Sequence, residues 1–232
     1  MQNFTVSAII ACAGSSVRMN GLNKQFAELD GIPAAVRSML AFESVNEVTE
    51  IIVSAREQDI SEFERLAEKY GVTKFKCAVK GGSTRQQSVF AAFAYTDKAT
   101  RYIAVHDGAR PLVKPEHIRQ CIKDASVFGG AALGVTVKDT IKQVDGGLIV
   151  DTPDRSRLYI IQTPQIFRRD IYVKGINFAN DHELEFTDDC QLAEAVGVKV
   201  NITVSDYTNI KLTTPEDIAV AEVLLHGITG VT

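Results

Sequence analysis

The chain has 232 residues and a formal net charge of −4, and 45% of its residues are hydrophobic. This length fits one α/β domain or two small ones, and the apolar fraction is sufficient for a sizeable core. The acidic balance disfavours a general nucleic-acid binder. No apolar run reaches the length of a membrane span. We therefore expect any anionic ligand to be held by local cations.

The cysteines are far apart and form no C-x-x-C pair: Cys12, Cys77, Cys121 and Cys190. This spacing is typical of unpaired thiols in a reducing compartment. A signal peptide would carry Lys or Arg before its apolar run, and the N-terminal segment has neither. We expect a cytoplasmic protein with no membrane and no nucleic-acid polymer among its partners.

Short apolar runs alternate with amphipathic segments along most of the chain, which predicts strands that alternate with helices. In chain order the predicted elements are strand 6–11, helix 32–42, strand 51–54, helix 58–70, strand 75–79, helix 85–94, strand 102–105, helix 115–128, strand 131–137, helix 169–178, helix 190–196, strand 199–204 and helix 215–225. Thr214 is the predicted N-cap of the last helix. The alternation predicts an α/β fold, a doubly wound, mostly parallel sheet in one domain over residues 1–232.

The segment 140–151 interrupts this alternation. Two apolar runs flank Asp145-Gly146-Gly147, a pattern typical of a β-hairpin with a glycine turn. The hairpin is expected to project from the main sheet and to expose its apolar side chains, namely Ile141, Val144, Leu148 and Val150. We predict a dimerisation arm at about 137–155, and a hairpin folded onto its own domain is the alternative.

A turn of small residues follows the first predicted strand and is formed by Ala13, Gly14, Ser15 and Ser16. Such a turn lets backbone N–H groups approach a ligand closely, and phosphate is the usual ligand. Arg18 and Lys24 bring positive charge to the same place. The stretch matches neither the P-loop nor the G-x-G-x-x-G fingerprint. It indicates an anion site for a nucleoside triphosphate, and a plain turn is the alternative.

A second glycine-rich turn, Gly81-Gly82, leads into the predicted helix 85–94. The double glycine permits a close approach of the backbone to a ligand at the helix N-terminus. Arg85 adds charge, and Ser88 lies one turn further along the helix. A tight strand-to-helix turn with a surface arginine is the alternative.

Polar residues also follow the predicted strand 102–105, at the position where open α/β sheets bind ligands. Asp107 is expected to hold a ribose hydroxyl or a metal ion, and Arg110 is expected to pair with a neighbouring carboxylate. For His106 we favour a buried, hydrogen-bonded side chain over a catalytic one.

Together these motifs closely resemble the 2-C-methyl-D-erythritol 4-phosphate cytidylyltransferases of the non-mevalonate isoprenoid pathway. The matching blocks are A-G-S-S-V-R-M, N-K-Q-F, G-G-S-T-R-Q-Q-S-V, H-D-G-A-R-P, V-K-D-T-I-K, D-R-S-R-L-Y-I-I-Q-T-P-Q, T-D-D and N-I-K-L-T-T-P-E-D. The resemblance extends from Ile9 to Leu225 and depends on the order and spacing of the blocks. It implies a nucleotide-diphospho-sugar transferase-like fold and a homodimer joined by the arm.

The resemblance also implies the reaction: CTP and methylerythritol phosphate give 4-diphosphocytidyl-2-C-methyl-D-erythritol and pyrophosphate, with Mg²⁺ as the cofactor. The implied catalytic cations are Arg18, Lys24 and Lys211. The implied nucleotide contacts are Ala13, Gly14, Ser15, Gly82, Ser83, Arg85, Ser88 and Asp107, with Asp107 also a candidate metal ligand. The implied acceptor contacts are Thr140, Arg155, Thr163 and Thr187, of which Thr140 and Arg155 would act on the other subunit.

The chain departs from the family pattern at Cys12, at Ser16, at Tyr159 and in the segment 34–36, none of which touches the implied cations. A ribitol 5-phosphate cytidylyltransferase is the nearest alternative, and the blocks around Arg155 and Thr187 favour the methylerythritol enzyme. A non-catalytic protein that only senses CTP is the alternative of another class. Binding alone would not require all the implied cations, which argues against that sensor.

Overall fold

The structure is a computed structural model that describes residues 4–14 and 23–227. Its strands are β1 (Val6–Ala11), β2 (Glu28–Leu29), β3 (Ile32–Pro33), β4 (Val48–Ala55), β5 (Phe75–Lys80), β6 (Tyr102–Asp107), β7 (Gly130–Thr136), β8 (Gln143–Asp145), β9 (Leu148–Asp151), β10 (Tyr159–Arg168) and β11 (Asn201–Val204). Its helices are α1 (Ala34–Glu43), α2 (Ile60–Lys69), α3 (Arg85–Phe93), α4 (Pro115–Phe128), α5 (Arg169–Asp181), α6 (Cys190–Ala195) and α7 (Glu216–His226). Within these ranges, the helices are all too short or too polar to cross a membrane.

The main sheet has seven strands in the order β11-β7-β10-β6-β1-β4-β5. Strand β1 pairs in parallel with β4 and β6, and the pairs β4–β5 and β7–β11 are also parallel. Strand β10 runs antiparallel between β6 and β7. The predicted fold class, an α/β protein with a doubly wound, mostly parallel sheet, is confirmed.

The side chains of β1 enter a core on each face of the sheet, which explains its almost continuous apolar sequence. Ala8 and Ile10 belong to a buried cluster that also contains Met39 of α1. Ile9 points to the opposite face and joins a cluster with Val89 of α3. Because helices cover both faces, the carboxyl ends of the parallel strands are left for the site.

Strand β10 was not predicted, because polar residues interrupt its apolar sequence. Gln162, Thr163 and Gln165 are nonetheless buried. Each has hydrogen-bond partners within the fold, and such partners offset the cost of burying polar groups. A polar sequence can therefore occupy the middle of this sheet.

Three predicted helix starts are wrong. Helix α2 begins at Ile60 and not at residue 58, because residues 57–59 form a separate 3₁₀ turn. Helix α1 begins at Ala34 and not at residue 32, because Ile32–Pro33 pairs with Glu28–Leu29 across a short turn. Helix α7 begins at Glu216, with Pro215 and not Thr214 in the N-cap position.

The predicted hairpin is present as a separate two-stranded sheet formed by β8 and β9. Its turn glycines, Gly146 and Gly147, both have positive φ, as a tight hairpin turn requires. All residues from 138 to 152 are exposed, including Leu148 at 73% and Ile149 at 64%. The hairpin is therefore not packed on its own domain. Its role as a dimerisation arm stays a prediction.

Candidate active site

Two adjoining cavities lie at the carboxyl ends of the parallel strands. The first has a volume of about 430 Å³ and is lined by Ala11, Ala13, Gly14, Lys24, Gly82, Ser83, Thr84, Arg85, Ser88, Asp107 and Lys211. The second has a volume of about 170 Å³ and is lined by Arg85, Asp107, Arg110, Ile161, Gln162, Thr163, Gln165, Thr187, Asp188 and Lys211. Arg85, Asp107 and Lys211 therefore form a wall that the two cavities share.

The first cavity is shaped by two turns that pack closely together. A Cβ atom at Gly81 would collide with the Cβ of Ala13, and one at Gly82 would collide with the Cβ of Gln87. Only glycine fits these positions without a shift of the backbone. The turn after β5 can therefore lie against the turn after β1.

The hydroxyl of Ser88 is used to hold this second turn. It accepts a hydrogen bond from the backbone N–H of Gly82 (3.1 Å) and donates to the carbonyl of Thr84 (2.8 Å). Thr84 is the N-cap of α3 and accepts from the N–H of Gln87 at 3.2 Å. Ser88 thus lines the cavity and also stabilises its floor.

Asp107 is the buried carboxylate at the shared wall. Its Oδ2 lies 2.7 Å from Lys211 Nζ and 3.9 Å from Arg110 Nε, and its Oδ1 lies 3.1 Å from Arg85 Nε. Burial alone would raise the pKa of Asp107, but the charges of Arg85, Lys211 and Arg110 outweigh it and hold that pKa well below the usual range. The group is therefore an anion at any physiological pH.

Arg85 bridges Asp107 and a second buried carboxylate, Asp189. Its Nη1 lies 2.7 Å from Asp189 Oδ2, and the Asp189 Oδ1 accepts from the hydroxyl of Tyr172 at 2.7 Å. Burial alone would lower the pKa of Arg85, but Asp189 and Asp107 raise it above its usual value. Arg85 lines both cavities while two of its nitrogens are committed to protein carboxylates.

His106 is buried and hydrogen-bonded, as the sequence predicts. Its Nε2 lies 3.2 Å from the carbonyl of Arg110, so Nε2 carries the proton and donates it. Its Nδ1 then accepts from the hydroxyl of Thr163 at 3.0 Å, and that hydroxyl accepts from the N–H of Asp107 at 3.0 Å. Burial lowers the pKa of His106 to about 4, which keeps the ring neutral.

This chain of hydrogen bonds limits what Thr163 can do for a ligand. The proton of its hydroxyl is committed to His106, so the oxygen has acceptor capacity left but no proton for a phosphate oxygen. The structure gives Thr163 a positioning contact to the backbone of Asp107.

The other residues implicated by the sequence fall into three groups. Ala13, Gly14, Lys24, Gly82, Ser83 and Lys211 line the first cavity, and Thr187 lines the second. Thr140 and Arg155 are exposed on or beside the hairpin and line neither cavity. Ser15 and Arg18 lie outside the described residues.

Sequence reasoning missed Asp189, Tyr172 and Gln165. Gln165 Oε1 accepts from the N–H groups of Asp189 and Cys190 at 2.8 and 3.1 Å, and its Nε2 donates to Asp188 at 3.0 Å. The available signal was a pair of adjacent aspartates before a helix, which capping alone could explain. The side chain of Asp188 accepts from the N–H of Gln191 in the first turn of α6, whereas Asp189, which holds the N-cap position, turns its side chain inward to Arg85.

Residues 4–14 and 23–227 contain no cluster of three or more His, Cys, Asp or Glu side chains suited to a metal ion. Asp107 is the carboxylate at the shared wall, and its oxygens already face cations. A divalent cation at this wall would therefore need most of its oxygen ligands from substrate phosphates.

An α/β fold with cation-bearing cavities at the carboxyl ends of its parallel strands defines a class of proteins that bind phosphorylated ligands at this edge. The family model for 2-C-methyl-D-erythritol 4-phosphate cytidylyltransferase matches residues 6–227, and the chain belongs to this family. A relative of that name from Caldanaerobacter subterraneus is 45% identical, with 95% of this chain and 99% of the relative covered.

Solved structures support the same assignment. The 4-diphosphocytidyl-2C-methyl-D-erythritol synthase of Anaerococcus prevotii matches with a TM-score of 0.87 and 32% identity, and 97% of each chain is covered. The 2-C-methyl-D-erythritol 4-phosphate cytidylyltransferase of Thermus thermophilus matches with a TM-score of 0.77 and 25% identity, over 96% of this chain and 100% of the other.

Proposed function

We propose that the protein transfers the cytidylyl group of CTP to 2-C-methyl-D-erythritol 4-phosphate, as an enzyme of isoprenoid precursor synthesis. The products are 4-diphosphocytidyl-2-C-methyl-D-erythritol and pyrophosphate. One observation carries this proposal beyond family membership: the two cavities meet at a wall that contains Lys211, Arg85 and Asp107. Two phosphorylated substrates would meet at such a wall.

The chemistry suits the residues of the wall. The attacking group is a phosphate monoester, which is mostly a dianion near neutral pH because its second pKa is about 6. One of its oxygens forms a bond to the α-phosphorus of CTP while the bond to the β-phosphate oxygen breaks, and pyrophosphate leaves. No general base is needed for this step, in agreement with the neutral, buried state of His106.

The barrier is therefore mainly electrostatic, because a dianion must approach a triphosphate. Lys211 and Lys24 line the first cavity and can bring positive charge to the α-phosphate. Asp107 orients Lys211 through their 2.7 Å ion pair. Cations that are held in place before the reaction stabilise the developing charge without reorganisation at the moment of transfer.

We also propose Mg²⁺ as the cofactor, held by the phosphates of CTP with Asp107 as the protein carboxylate within reach. When bound, the ion would neutralise charge on the triphosphate. Lys211 and Arg85, the ion-pair partners of Asp107, restrain that carboxylate at the shared wall.

The acceptor site is proposed to be completed by the hairpin of a second subunit. The support is that Thr140 and Arg155 lie away from both cavities of their own chain, beside an exposed apolar surface. A homodimer joined through this surface would bury Leu148 and Ile149 and deliver Arg155 to the partner.

The four unpaired cysteines support a cytoplasmic location.

Pyrophosphate release tests this function directly. CTP and Mg²⁺ are supplied with either methylerythritol phosphate or ribitol 5-phosphate, and release is expected with the first acceptor alone. Release only with ribitol 5-phosphate would keep the nucleotide half of the proposal and overturn the acceptor half. Binding of CTP without release from either acceptor would favour the sensor.

A further inference from the structure

Two adjacent glutamines on the first turn of α3 hold different parts of the site. Gln86 faces the segment 182–189, which we call the acceptor loop because it carries Thr187. Its Nε2 donates to the carbonyl of Leu184 at 2.9 Å, and its Oε1 accepts from the N–H of Phe186 at 2.8 Å. The amide of Gln86 thus closes a two-sided clamp on the loop backbone.

Gln87 contacts a different segment, the glycine-rich turn 81–84. Its Oε1 accepts from the backbone N–H of Ser83 at 3.1 Å and from the hydroxyl of Ser83 at 2.8 Å. The Cβ of Gln87 also sets the closest approach to Gly82. Gln87 therefore holds the turn that lines the first cavity.

The second half of the acceptor loop is held from α6, where Gln191 Oε1 accepts from the N–H of Thr187 at 2.8 Å and from its hydroxyl at 3.1 Å. Residues 182–185 and Thr187 are exposed, and Glu183 has a positive φ of 53°. The ends are held by the N–H of Leu184, which donates to the carbonyl of Ala179, and by the salt bridge from Asp189 to Arg85. The clamp from Gln86 holds residues 184–186, the part of the loop that comes before the contacts of Thr187 with Gln191. Exposed backbone of this kind has little packing to fix it.

We propose that Gln86 and Gln87 are paired positioning residues, Gln86 for the acceptor loop and Gln87 for the nucleotide turn. This inference rests on the proposed function, because the acceptor loop contributes to substrate binding only if methylerythritol phosphate binds beside Thr187. Neither glutamine lines the shared wall of the two cavities. Each acts through the backbone that it holds.

The test is a pair of matched substitutions, Gln86→Met and Gln87→Met. Methionine keeps the unbranched shape and a high helix propensity, and it removes the hydrogen-bonding amide. We expect Gln86→Met to raise the KM for methylerythritol phosphate about tenfold and to leave the KM for CTP within about twofold. The reason is that a misplaced contact weakens the binding of only the substrate that it touches. For Gln87→Met we expect the KM for CTP to rise about tenfold and the KM for methylerythritol phosphate to stay within about twofold.

Two further measurements make the outcome decisive. CTP binding is titrated without acceptor and should weaken in Gln87→Met alone. Thermal melting of both variants should stay close to that of the wild type, which separates a positioning effect from partial unfolding.

The inference is overturned if both variants raise the same KM or if neither KM changes. A wild-type protein that binds CTP but releases no pyrophosphate with methylerythritol phosphate would instead refute the proposed function, and the assignment of Gln86 would fall with it. In that case the CTP titration still decides the assignment of Gln87.

Discussion

The first cavity and the hairpin are opposite kinds of surface within one chain. At the cavity, charged side chains are locked by partners from the same chain, as Asp107 is by Arg85 and Lys211. On the hairpin, apolar side chains such as Leu148 face solvent. The cavity is finished when the monomer folds, whereas the hairpin has a surface that folding alone does not bury.

The difference shows where a single chain suffices to build a site. Ion pairs shielded from water preorganise the cavity before any ligand arrives. An exposed apolar ribbon gains stability only by burial against something else. Each prediction below tests one side of this contrast.

The largest effect is expected at the shared wall. Lys211→Ala should lower turnover by a factor of about 100–1,000, or about 3–4 kcal/mol in the barrier, because it removes a preorganised cation. We expect the same range for Lys24→Ala. Initial rates of pyrophosphate release measure both effects, and Lys69→Ala on the exposed face of α2 serves as the control. Near-normal turnover in either cavity variant would remove that lysine from the mechanism.

The second prediction concerns Arg155 on the hairpin side. If this residue acts on the partner subunit, Arg155→Ala should raise the KM for methylerythritol phosphate by a factor of about 10–100 through a misplaced acceptor.

Mixing the Lys211→Ala and Arg155→Ala variants shows whether Arg155 serves the site of its own subunit or that of the partner. A dimer of one Lys211→Ala chain and one Arg155→Ala chain would contain one intact site, so re-associated equal mixtures should recover about one quarter of the wild-type activity. No recovery would show that Arg155 serves its own chain, and the contrast drawn above would then be wrong.

A third prediction addresses the buried support of Arg85. Tyr172→Phe removes the hydroxyl that donates to Asp189 and should lower the free energy of unfolding by about 1.5–3 kcal/mol, the usual range for a hydrogen bond to a charged group. Urea denaturation measures this loss. The same substitution at the exposed Tyr95 should change stability little, and equal losses in the two variants would argue against the buried network.

The fourth and smallest effect concerns pH. Because the pKa of His106 falls to about 4 in the folded state from 6.5, the unfolded chain binds more protons between these values. Stability should therefore fall as pH decreases from about 6.5 to 5, by about 1.6 kcal/mol. Urea denaturation of wild type and His106→Gln at the two pH values isolates this contribution. An equal pH dependence in both proteins would contradict the assignment.

Much of the cavity could be predicted from sequence because its parts follow strands. The apolar run before Ala13 and the glycines after β5 are local signals, and parallel strands bring their carboxyl ends to one edge. Helix α4 was predicted with its observed bounds because Pro115 and Gly129 mark its ends.

The rest depends on partners distant in sequence. Gln165 and Asp189 look like ordinary polar residues until the fold places each beside its partners. Strand β10 was missed for the same reason, since its buried amides are satisfied by segments that sequence pattern does not connect. Arg155 differs again, because its proposed partner belongs to another molecule.

The way the hairpin leaves the sheet has a consequence for how this protein can change. Strand β7 ends at Thr136 and β10 begins at Tyr159, and these two residues pair directly. This pairing fixes the register of the sheet at the base of the hairpin, so residues can be gained or lost between Thr136 and Tyr159 at little entropic cost. The length of the hairpin can accordingly change without a change in the strand pairing that builds the cavities.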